Sequence, residues 1–417
     1  LRSQGYPERF TLGLITTTRL TIKSATSCRN ECRNQPPAQP VGWIALILIK
    51  APGSVARSTI GETLKRRHRM RFYTPGPEDQ YYCGVDLHAR TMYLCILDAK
   101  GIILLHKNLK AEPDAFLAAI EPYRAGLVVA VECMFTWYWL ADLCAREKII
   151  FVLGHALYMK AIHGGKAKND RIDANKMAVL LRGGMFPKAY VYPPEMRATR
   201  DLLRRRMHLS RKRAALITHI KCTFAQYNLP DPEQNVSRIS QREGVAEQFA
   251  DTSAGRNVQL DLDMLNFYDQ TLTKLEQELT VIAKGHDPDS YFRIRTVPGI
   301  GKILSLVILY EIHNIKRFDT VQDFASYCRL VKPAKESGGK RLGFGGAKIG
   351  NVHLKWAFSE AAVLFLRKNE SAKLYRARLI KRHGKAKSLT ILAHKIARAV
   401  YFILKRKTVF DPQTFFA

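Results

Sequence analysis

The chain has 417 residues and carries 67 Lys and Arg against 36 Asp and Glu, a formal net charge of +31. At roughly 100–200 residues per domain, this length predicts two or three domains, and the excess of positive charge indicates a polyanionic partner, either nucleic acid or an anionic membrane surface. The apolar run Trp43–Ile49 is far shorter than the roughly 20 residues of a membrane-spanning helix, which disfavours the membrane alternative.

The N-terminal segment lacks the pattern of a folded domain. Residues 1–69 show no sustained helical or strand period, and the first methionine is Met70. We expect this segment to be either an upstream extension of the reading frame or a disordered basic arm, and we separate residues 1–79 from the folded domains.

Short β-type runs begin at Tyr81 and alternate with helical segments further on. The first three runs predict an antiparallel meander, and two buried strands that each follow a helix continue it as β-α-β-α-β. This order predicts an α/β layer fold over residues 80–190. The predicted strands are Tyr81–Asp86, Thr91–Leu97, Ile102–Leu109, 126–132 and Ile149–Leu153, and the predicted helices are Pro113–Tyr123 and Thr136–Arg146.

Two long helices are predicted to form an antiparallel arm over residues 191–289. The first, over 195–228, is rich in arginine, and the second, over 261–284, carries leucines near heptad spacing. We expect residues 231–258 between them to be irregular. A helical domain punctuated by glycine follows over 290–410.

Four acids are candidates for a metal site. Asp86 and Glu132 each end an apolar strand, where open α/β sheets carry their sites. Asp170 and Asp173 are spaced i,i+3, so a helix there places both carboxylates on one face. Mg²⁺ prefers carboxylate oxygens, and two such ions can clamp a phosphodiester. The alternative is structural, with Asp86 capping a turn and the other two capping a helix.

Two glycine-containing segments of the C-terminal domain are candidate phosphate contacts. Pro-Gly-Ile-Gly at 298–301 predicts the turn of a helix-hairpin-helix, with Lys302 adding positive charge, although a plain loop between core helices is the alternative. Ser337 stands in a basic, glycine-rich loop, where a serine is either a phosphate contact or a covalent nucleophile on phosphorus.

The order and spacing of these motifs resemble the DEDD transposases of the insertion-sequence one-ten/eleven-eleven group, the bridge-RNA-guided recombinases. The resemblance covers about residues 80–400 and runs through the segments GVDLH, AVE, KNDRIDANK, VPGIG, SGGKRLG and KIGNVHLKWAFSEAA.

This resemblance implies an α/β RNase H-like (RuvC-like) N-terminal domain, a helical linker arm and a mostly α C-terminal transposase domain with a helix-hairpin-helix. It implies that Asp86, Glu132, Asp170 and Asp173 bind Mg²⁺ as two ions, and that Ser337 is the nucleophile that becomes linked to a DNA strand. The partners implied are donor and target DNA, a structured noncoding RNA whose loops pair with both, and further copies of the chain in a dimer or tetramer.

The basic residues of the long helix and the C-terminal domain offer surfaces for RNA and DNA. The candidate nucleic-acid contacts are Arg204, Arg205, Arg206, Gly299, Gly301, Lys302, Lys335, Gly338, Gly339, Lys340, Arg341 and Lys348.

Two other function classes stay open at this point: a structure-specific nuclease in which Ser337 only binds phosphate, and a nucleic-acid-binding protein without catalysis. Of the eight scattered cysteines, Cys83, Cys95, Cys133 and Cys144 lie in or beside apolar runs, which suits buried thiols in a reducing compartment. Together with the resemblance, this implies a bacterial or archaeal protein of the cytoplasm, associated with the nucleoid.

Overall fold

The computed structural model describes residues 71–162, 169–230, 232, 236–346, 348–367 and 369–416. Our expectations for residues 1–69 and for Met70 fall outside this part of the chain. Residues 71–79, the end of the predicted extension, fall within it. Tyr73 is buried, and its backbone N–H donates to the carbonyl oxygen of Phe186 at 2.9 Å. Residues 71–79 therefore pack against the folded chain.

The predicted meander and its continuation form one five-stranded mixed sheet, with the strand order β3-β2-β1-β4-β5. β1 pairs antiparallel with β2, and β2 with β3, whereas β4 and β5 run parallel to β1. The strands are β1 (Tyr81–Leu87), β2 (Thr91–Asp98), β3 (Ile103–Lys110), β4 (Leu127–Glu132) and β5 (Ile150–Gly154).

Helices cover both faces of this sheet. Helix α1 (Pro113–Ile120) and helix α2 (Trp137–Arg146) pack on one face, where Val85 and Val131 belong to their hydrophobic cluster. Short helix α3 (Ala156–Ile162) follows β5, and helix α4 (Asp170–Arg182) packs on the opposite face. β4 is buried over its first five residues because both faces above it are covered.

The predicted antiparallel arm is present, although its second helix is longer than expected. Helix α5 is Pro194–Gln226 and helix α6 is Thr252–His286, and ion pairs such as Arg206–Glu276 and Arg213–Asp269 join them along their length. Near the start of the arm, Met196, Leu203 and Leu279 belong to the hydrophobic core of the C-terminal helices, whereas the far half of the arm packs around a separate cluster that includes Phe224 and Phe249.

The prediction that residues 231–258 are irregular is wrong from Thr252 onward. The side chain of Asp251 accepts hydrogen bonds from the backbone N–H groups of Ser253 and Ala254, so it starts the helix there. Gly255, which suggests coil in a sequence, allows a close approach instead, since a Cβ at this position would lie 2.9 Å from the carbonyl oxygen of Ala246.

The C-terminal part is mostly helical, as predicted, and includes one small β-hairpin. None of the helices in the described ranges is long and apolar enough to cross a membrane. The elements are α7 (Pro288–Arg295), α8 (Lys302–Ile312), α9 (Val321–Tyr327), β6 (Ala334–Ser337), β7 (Lys340–Phe344), α10 (Val352–Phe365), α11 (Glu370–His383), α12 (Lys385–Arg406) and α13 (Pro412–Phe416).

Candidate metal centre and serine hairpin

Asp86 and Glu132 lie at the ends of neighbouring parallel strands. The register pairs Val85 of β1 with Val131 of β4, so the acid that follows each valine lies at the same edge of the sheet. Side chains alternate between the two faces of a strand. Asp86 therefore shares a face with Gly84 of its own strand, and Glu132 shares that face as well. This is the face that α4 covers.

Gly84 allows α4 to lie directly on β1. A Cβ at Gly84 would lie 2.2 Å from the carbonyl oxygen of Ala174 and 2.5 Å from the backbone nitrogen of Ala178. Both alanines are fully buried, so the strand position without a side chain faces small side chains of the helix. The first turn of α4 carries Asp170 and Asp173, and this contact holds that turn near the acids at the ends of the strands.

A histidine joins two of the four predicted acids. Among the described residues, Asp86, His88 and Asp170 form a group whose ligand atoms all lie within 4.8 Å of one another. The Nε2 atom of His88 lies 3.6 Å from Oδ2 of Asp86 and 3.5 Å from Oδ2 of Asp170. Glu132 and Asp173 lie outside this tight group, and Asp173 faces Lys176 with its Oδ1 atom 3.7 Å from Nζ.

The alternative in which Asp170 and Asp173 cap the helix is wrong, because another residue caps α4. The residue that caps α4 is Asn169, whose side chain accepts a hydrogen bond from the N–H of Ile172 at 2.8 Å. Asp170 is already inside the helix, and its carboxylate lies beside Asp86 and His88. Two carboxylates and an imidazole form a donor set that fits a divalent cation.

Sequence reasoning missed His88, because residues 88–90 were interpreted only as the break between two strands. A usable signal was present. His88 comes two residues after Asp86, the spacing that keeps two side chains of an extended chain on one side. The backbone N–H of His88 donates to the carbonyl oxygen of Thr91 at 2.9 Å, which closes the β1–β2 turn.

The predicted glycine-rich loop around Ser337 is instead a β-hairpin. Ser337 ends β6 and pairs with Lys340 of β7, and Gly338 and Gly339 form the two-residue turn with φ values of +56° and +73°. Two consecutive positive φ values are typical of a type I′ turn, which matches the twist of the strands that it joins. The two consecutive glycines thus form the turn of a hairpin here.

This serine hairpin, residues 334–344, is exposed to solvent at nearly every position, including Ser337. The predicted phosphate contacts Lys335, Lys340 and Arg341 are also exposed on it, and Lys348 is exposed just beyond it. The hairpin therefore presents a hydroxyl together with three exposed cations.

Some arginines of the Arg-rich helix α5 form ion pairs within the protein. Arg206 pairs with Glu276 of α6, and Arg204 pairs with Glu311 of α8 at 2.6 Å. Arg205 between them is exposed. The three consecutive arginines therefore have different environments, and Arg205 is the one whose side chain lies in solvent.

Two helices flank the Pro-Gly-Ile-Gly turn. Its first glycine, Gly299, allows the turn to pack closely against another helix. A Cβ at Gly299, which has φ +84°, would lie 2.5 Å from the backbone nitrogen of Phe365 in α10. By contrast, a Cβ at Gly301 would meet nothing within 4 Å, and Lys302 is exposed. Gly301 and Lys302 are therefore the predicted phosphate contacts of this turn that lie in solvent.

A buried carboxylate that sequence reasoning did not single out connects three helices. Glu311 of α8 accepts hydrogen bonds from Arg200 and Arg204 of α5 and from the side-chain amide of Asn351, the residue that caps α10. Burial by itself would raise the pKa of Glu311, but the Arg204 hydrogen bond and the two guanidinium charges outweigh it and lower the pKa from 4.5 to about 2. Glu311 is therefore ionised and fully paired.

Comparison with known proteins agrees with this arrangement. A DEDD transposase model of the IS110 type matches residues 83–229, and the model of the transposase IS116/IS110/IS902 family matches residues 292–377. A DEDD domain implies an RNase H-like fold, which agrees with the mixed sheet and its helices.

The match to three known transposases covers nearly the whole length of each of them. The transposase for insertion sequence element IS1111A of Coxiella burnetii is 23% identical, over 83% of this chain and 96% of its own. A probable family 20 transposase of Pseudomonas aeruginosa is 23% identical over 79% of this chain and 98% of its own, and the IS1328 transposase of Yersinia enterocolitica is 22% identical over the same shares. The chain belongs to the IS110 family of DEDD insertion-sequence transposases.

Proposed function

We propose that this transposase cuts and exchanges DNA strands of an insertion sequence, guided by a structured noncoding RNA. The reaction would use the hydroxyl of Ser337 and a Mg²⁺-binding acid centre formed by Asp86, Glu132, Asp170 and Asp173. The observation that carries the proposal is the convergence of Asp86, His88 and Asp170 at the edge of the sheet. Their atoms come from a strand end, a turn and a helix start, which are distant in the sequence.

The acid centre supplies ligands of the kind that Mg²⁺ prefers. Asp86 and Asp170 offer carboxylate oxygens, and in this proposal Glu132 and Asp173 complete the set for two ions. When bound, such ions stabilise negative charge on a scissile phosphate. The protein's own contribution is rigidity, because the contact between Gly84 and α4 keeps Asp170 beside Asp86.

Ser337 acts as the nucleophile in this proposal. Its Oγ atom loses its proton and forms an ester bond to phosphorus, while the bond from phosphorus to one DNA oxygen breaks and that oxygen leaves with a proton. Lys335, Lys340 and Arg341 flank it on the serine hairpin and would stabilise the charge that develops on the phosphate oxygens.

Nucleic acid would bind along the exposed cations. Arg205 on the arm, Gly301 and Lys302 at the turn before α8, and the serine hairpin are separate positive surfaces, which two polynucleotides can share. We propose that a structured RNA and the DNA occupy these surfaces in a dimer or tetramer, as the family resemblance implies.

A nuclease without a covalent intermediate is the second candidate. It is favoured by the position of Ser337 on an exposed hairpin that shares no residue with the acid centre, since hydrolysis assisted by a metal ion needs the acid centre alone.

A serine variant separates the two candidates. We expect Ser337→Ala to abolish strand exchange and the trapped protein–DNA adduct, and to leave nucleic-acid binding unchanged. Ser371→Ala, which alters another exposed serine of the C-terminal part, is the matched control and should retain both. An adduct that persists in Ser337→Ala contradicts the nucleophile assignment.

The acid centre and the RNA are tested separately. Asp86→Asn should abolish cleavage in Mg²⁺, whereas Asp114→Asn, which alters an exposed acid of α1, should not. Sequencing of the RNA that co-purifies with the full chain should give one discrete structured species. Absence of such an RNA would contradict the guided mechanism and favour the nuclease.

A further inference from the structure

The imidazole of His88 lies where a third ligand to a metal ion would lie. Its Nε2 atom is 3.5 and 3.6 Å from one carboxylate oxygen each of Asp170 and Asp86. In octahedral coordination with bonds of about 2.1 Å, neighbouring ligand atoms lie about 3.0 Å apart and opposite ones about 4.2 Å apart. The distances from Nε2 to the two carboxylate oxygens lie between these two values.

The backbone around His88 is held in place for this role. The N–H of His88 donates to Thr91, and the carbonyl oxygen of Arg90 accepts from Ala111, so the turn between β1 and β2 is fastened at both ends. The side chain remains about half exposed, with 45% of its surface accessible, which leaves room for water and phosphate beside it.

We propose that His88 is a metal ligand through Nε2, which makes this centre a mixed carboxylate–imidazole site that prefers Mn²⁺ to Mg²⁺. The inference rests on the proposed function, since it assumes that Asp86 and Asp170 bind the cation. Imidazole nitrogen is a good ligand for transition metals, whereas Mg²⁺ favours oxygen and retains its water. A centre made of carboxylates alone has no comparable reason to favour Mn²⁺.

The competing interpretation is that His88 is a positively charged partner of the two carboxylates and not a ligand. An imidazolium has no free nitrogen lone pair, so it cannot bind a metal ion. A measurement that detects a bond between nitrogen and metal therefore distinguishes the two roles without any assay of activity.

The experiment is pulsed electron paramagnetic resonance of Mn²⁺ bound to the full chain. We expect the nitrogen hyperfine coupling of a directly bound imidazole in the wild type, its loss in His88→Gln, and its retention in His106→Gln. His106 is the matched control because its ring contacts the backbone of Arg171 at 3.1 Å, beside the same helix start.

Titration calorimetry supplies the second readout. We expect His88→Gln to weaken Mn²⁺ binding by at least about tenfold, the lower limit seen when even outer partners of a ligand are removed, and to change Mg²⁺ binding less. Mn²⁺ that binds the wild type and is lost in Asp86→Asn, but shows no nitrogen coupling, overturns the His88 assignment and leaves the proposed function intact. No Mn²⁺ or Mg²⁺ binding to the wild type overturns both.

Discussion

At the scale of single residues, the acid centre depends on a position that has no side chain. Gly84 is not a turn residue here, since it lies in the middle of β1 and is paired on both sides. Its role is to let the backbone of α4 approach the strand, and this approach carries Asp170 to Asp86 and His88. A glycine two residues before a strand-end acid therefore positions the site without contributing a side chain to it.

We expect Gly84→Ala to destabilise the fold by about 3 kcal/mol, the upper end of the range for overpacked cores, because the new methyl group would meet helix backbone at 2.2 Å. It should also weaken Mn²⁺ binding, since α4 must move away from the sheet. Urea unfolding and calorimetry measure the two effects. Gly285→Ala in α6, where a Cβ would meet nothing within 4 Å, is the control and should be neutral or slightly stabilising.

At the scale of elements, Glu311 ties α8 to α5 and to the start of α10. The cap residue of α10, Asn351, donates to Glu311 and also bonds through its backbone N–H to the carbonyl oxygen of Tyr327. Arg329, close to Tyr327, donates to the carbonyl oxygen of Gly350 at 2.8 Å. These bonds fasten the chain where it leaves the serine hairpin, so the hairpin has a rigid base and an exposed tip.

We expect Glu311→Gln to cost about 3–5 kcal/mol of unfolding free energy at pH 7, because it leaves two arginines beside a neutral group in a buried site. Since the folded pKa of about 2 lies below the ordinary 4.5, the carboxylate stabilises the fold above pH 4.5 and loses this effect as the pH falls toward 2. The difference between wild type and variant should therefore be smaller at pH 3. An equal change in Glu278→Gln, which alters an exposed acid of α6, would argue against this account.

The serine hairpin is a second element whose geometry can be tested. Gly338 has φ +56°, so Gly338→Ala should strain the turn by about 1–2 kcal/mol, whereas Gly338→Asn suits a type I′ turn. We expect Ala to lower strand exchange and Asn to retain most of it. Thermal unfolding should change little in both, because the exposed hairpin can open locally while the core stays folded. Equal loss in both variants would indicate that turn geometry is not the cause.

At the scale of the whole molecule, only part of the positive charge is available to bind a polyanion. The net charge of +31 includes arginines that the fold uses internally, such as Arg200 and Arg206. A count of basic residues therefore overstates the surface offered to a polyanion. Exposed cations lie on the serine hairpin, on the C-terminal helices and on α5, for example Lys335, Lys381 and Arg205.

We expect Arg205→Ala to reduce the slope of log affinity against log salt concentration for nucleic-acid binding by about 1, the effect of losing one phosphate contact. Arg206→Ala is its matched neighbour. It should change the slope less and instead lower the unfolding midpoint, because it removes the pair with Glu276 between the two helices of the arm. Filter binding at several salt concentrations, together with thermal unfolding, tests the contrast.

The sequence alone was enough to predict the elements that local pattern determines. Short β-type and apolar runs between chain-breaking residues give the strands, and the arginine-rich stretch 195–228 without glycine or proline gives α5, within one or two residues of the observed ends. Asp86 and Glu132 were found because an acid after an apolar strand breaks the pattern. These signals are local, so one chain suffices to detect them.

Only the tertiary structure decided which of these side chains meet. The register of β1 and β4, the contact of α4 with Gly84 and the pairing within the serine hairpin join segments that are far apart in the chain, and no local period encodes such contacts. In the same way, packing brings His88 beside Asp170 and brings Glu311 beside Arg200 and Arg204. The physical reason is that ligand sets and buried ion pairs depend on distances in space, which packing determines after the elements have formed.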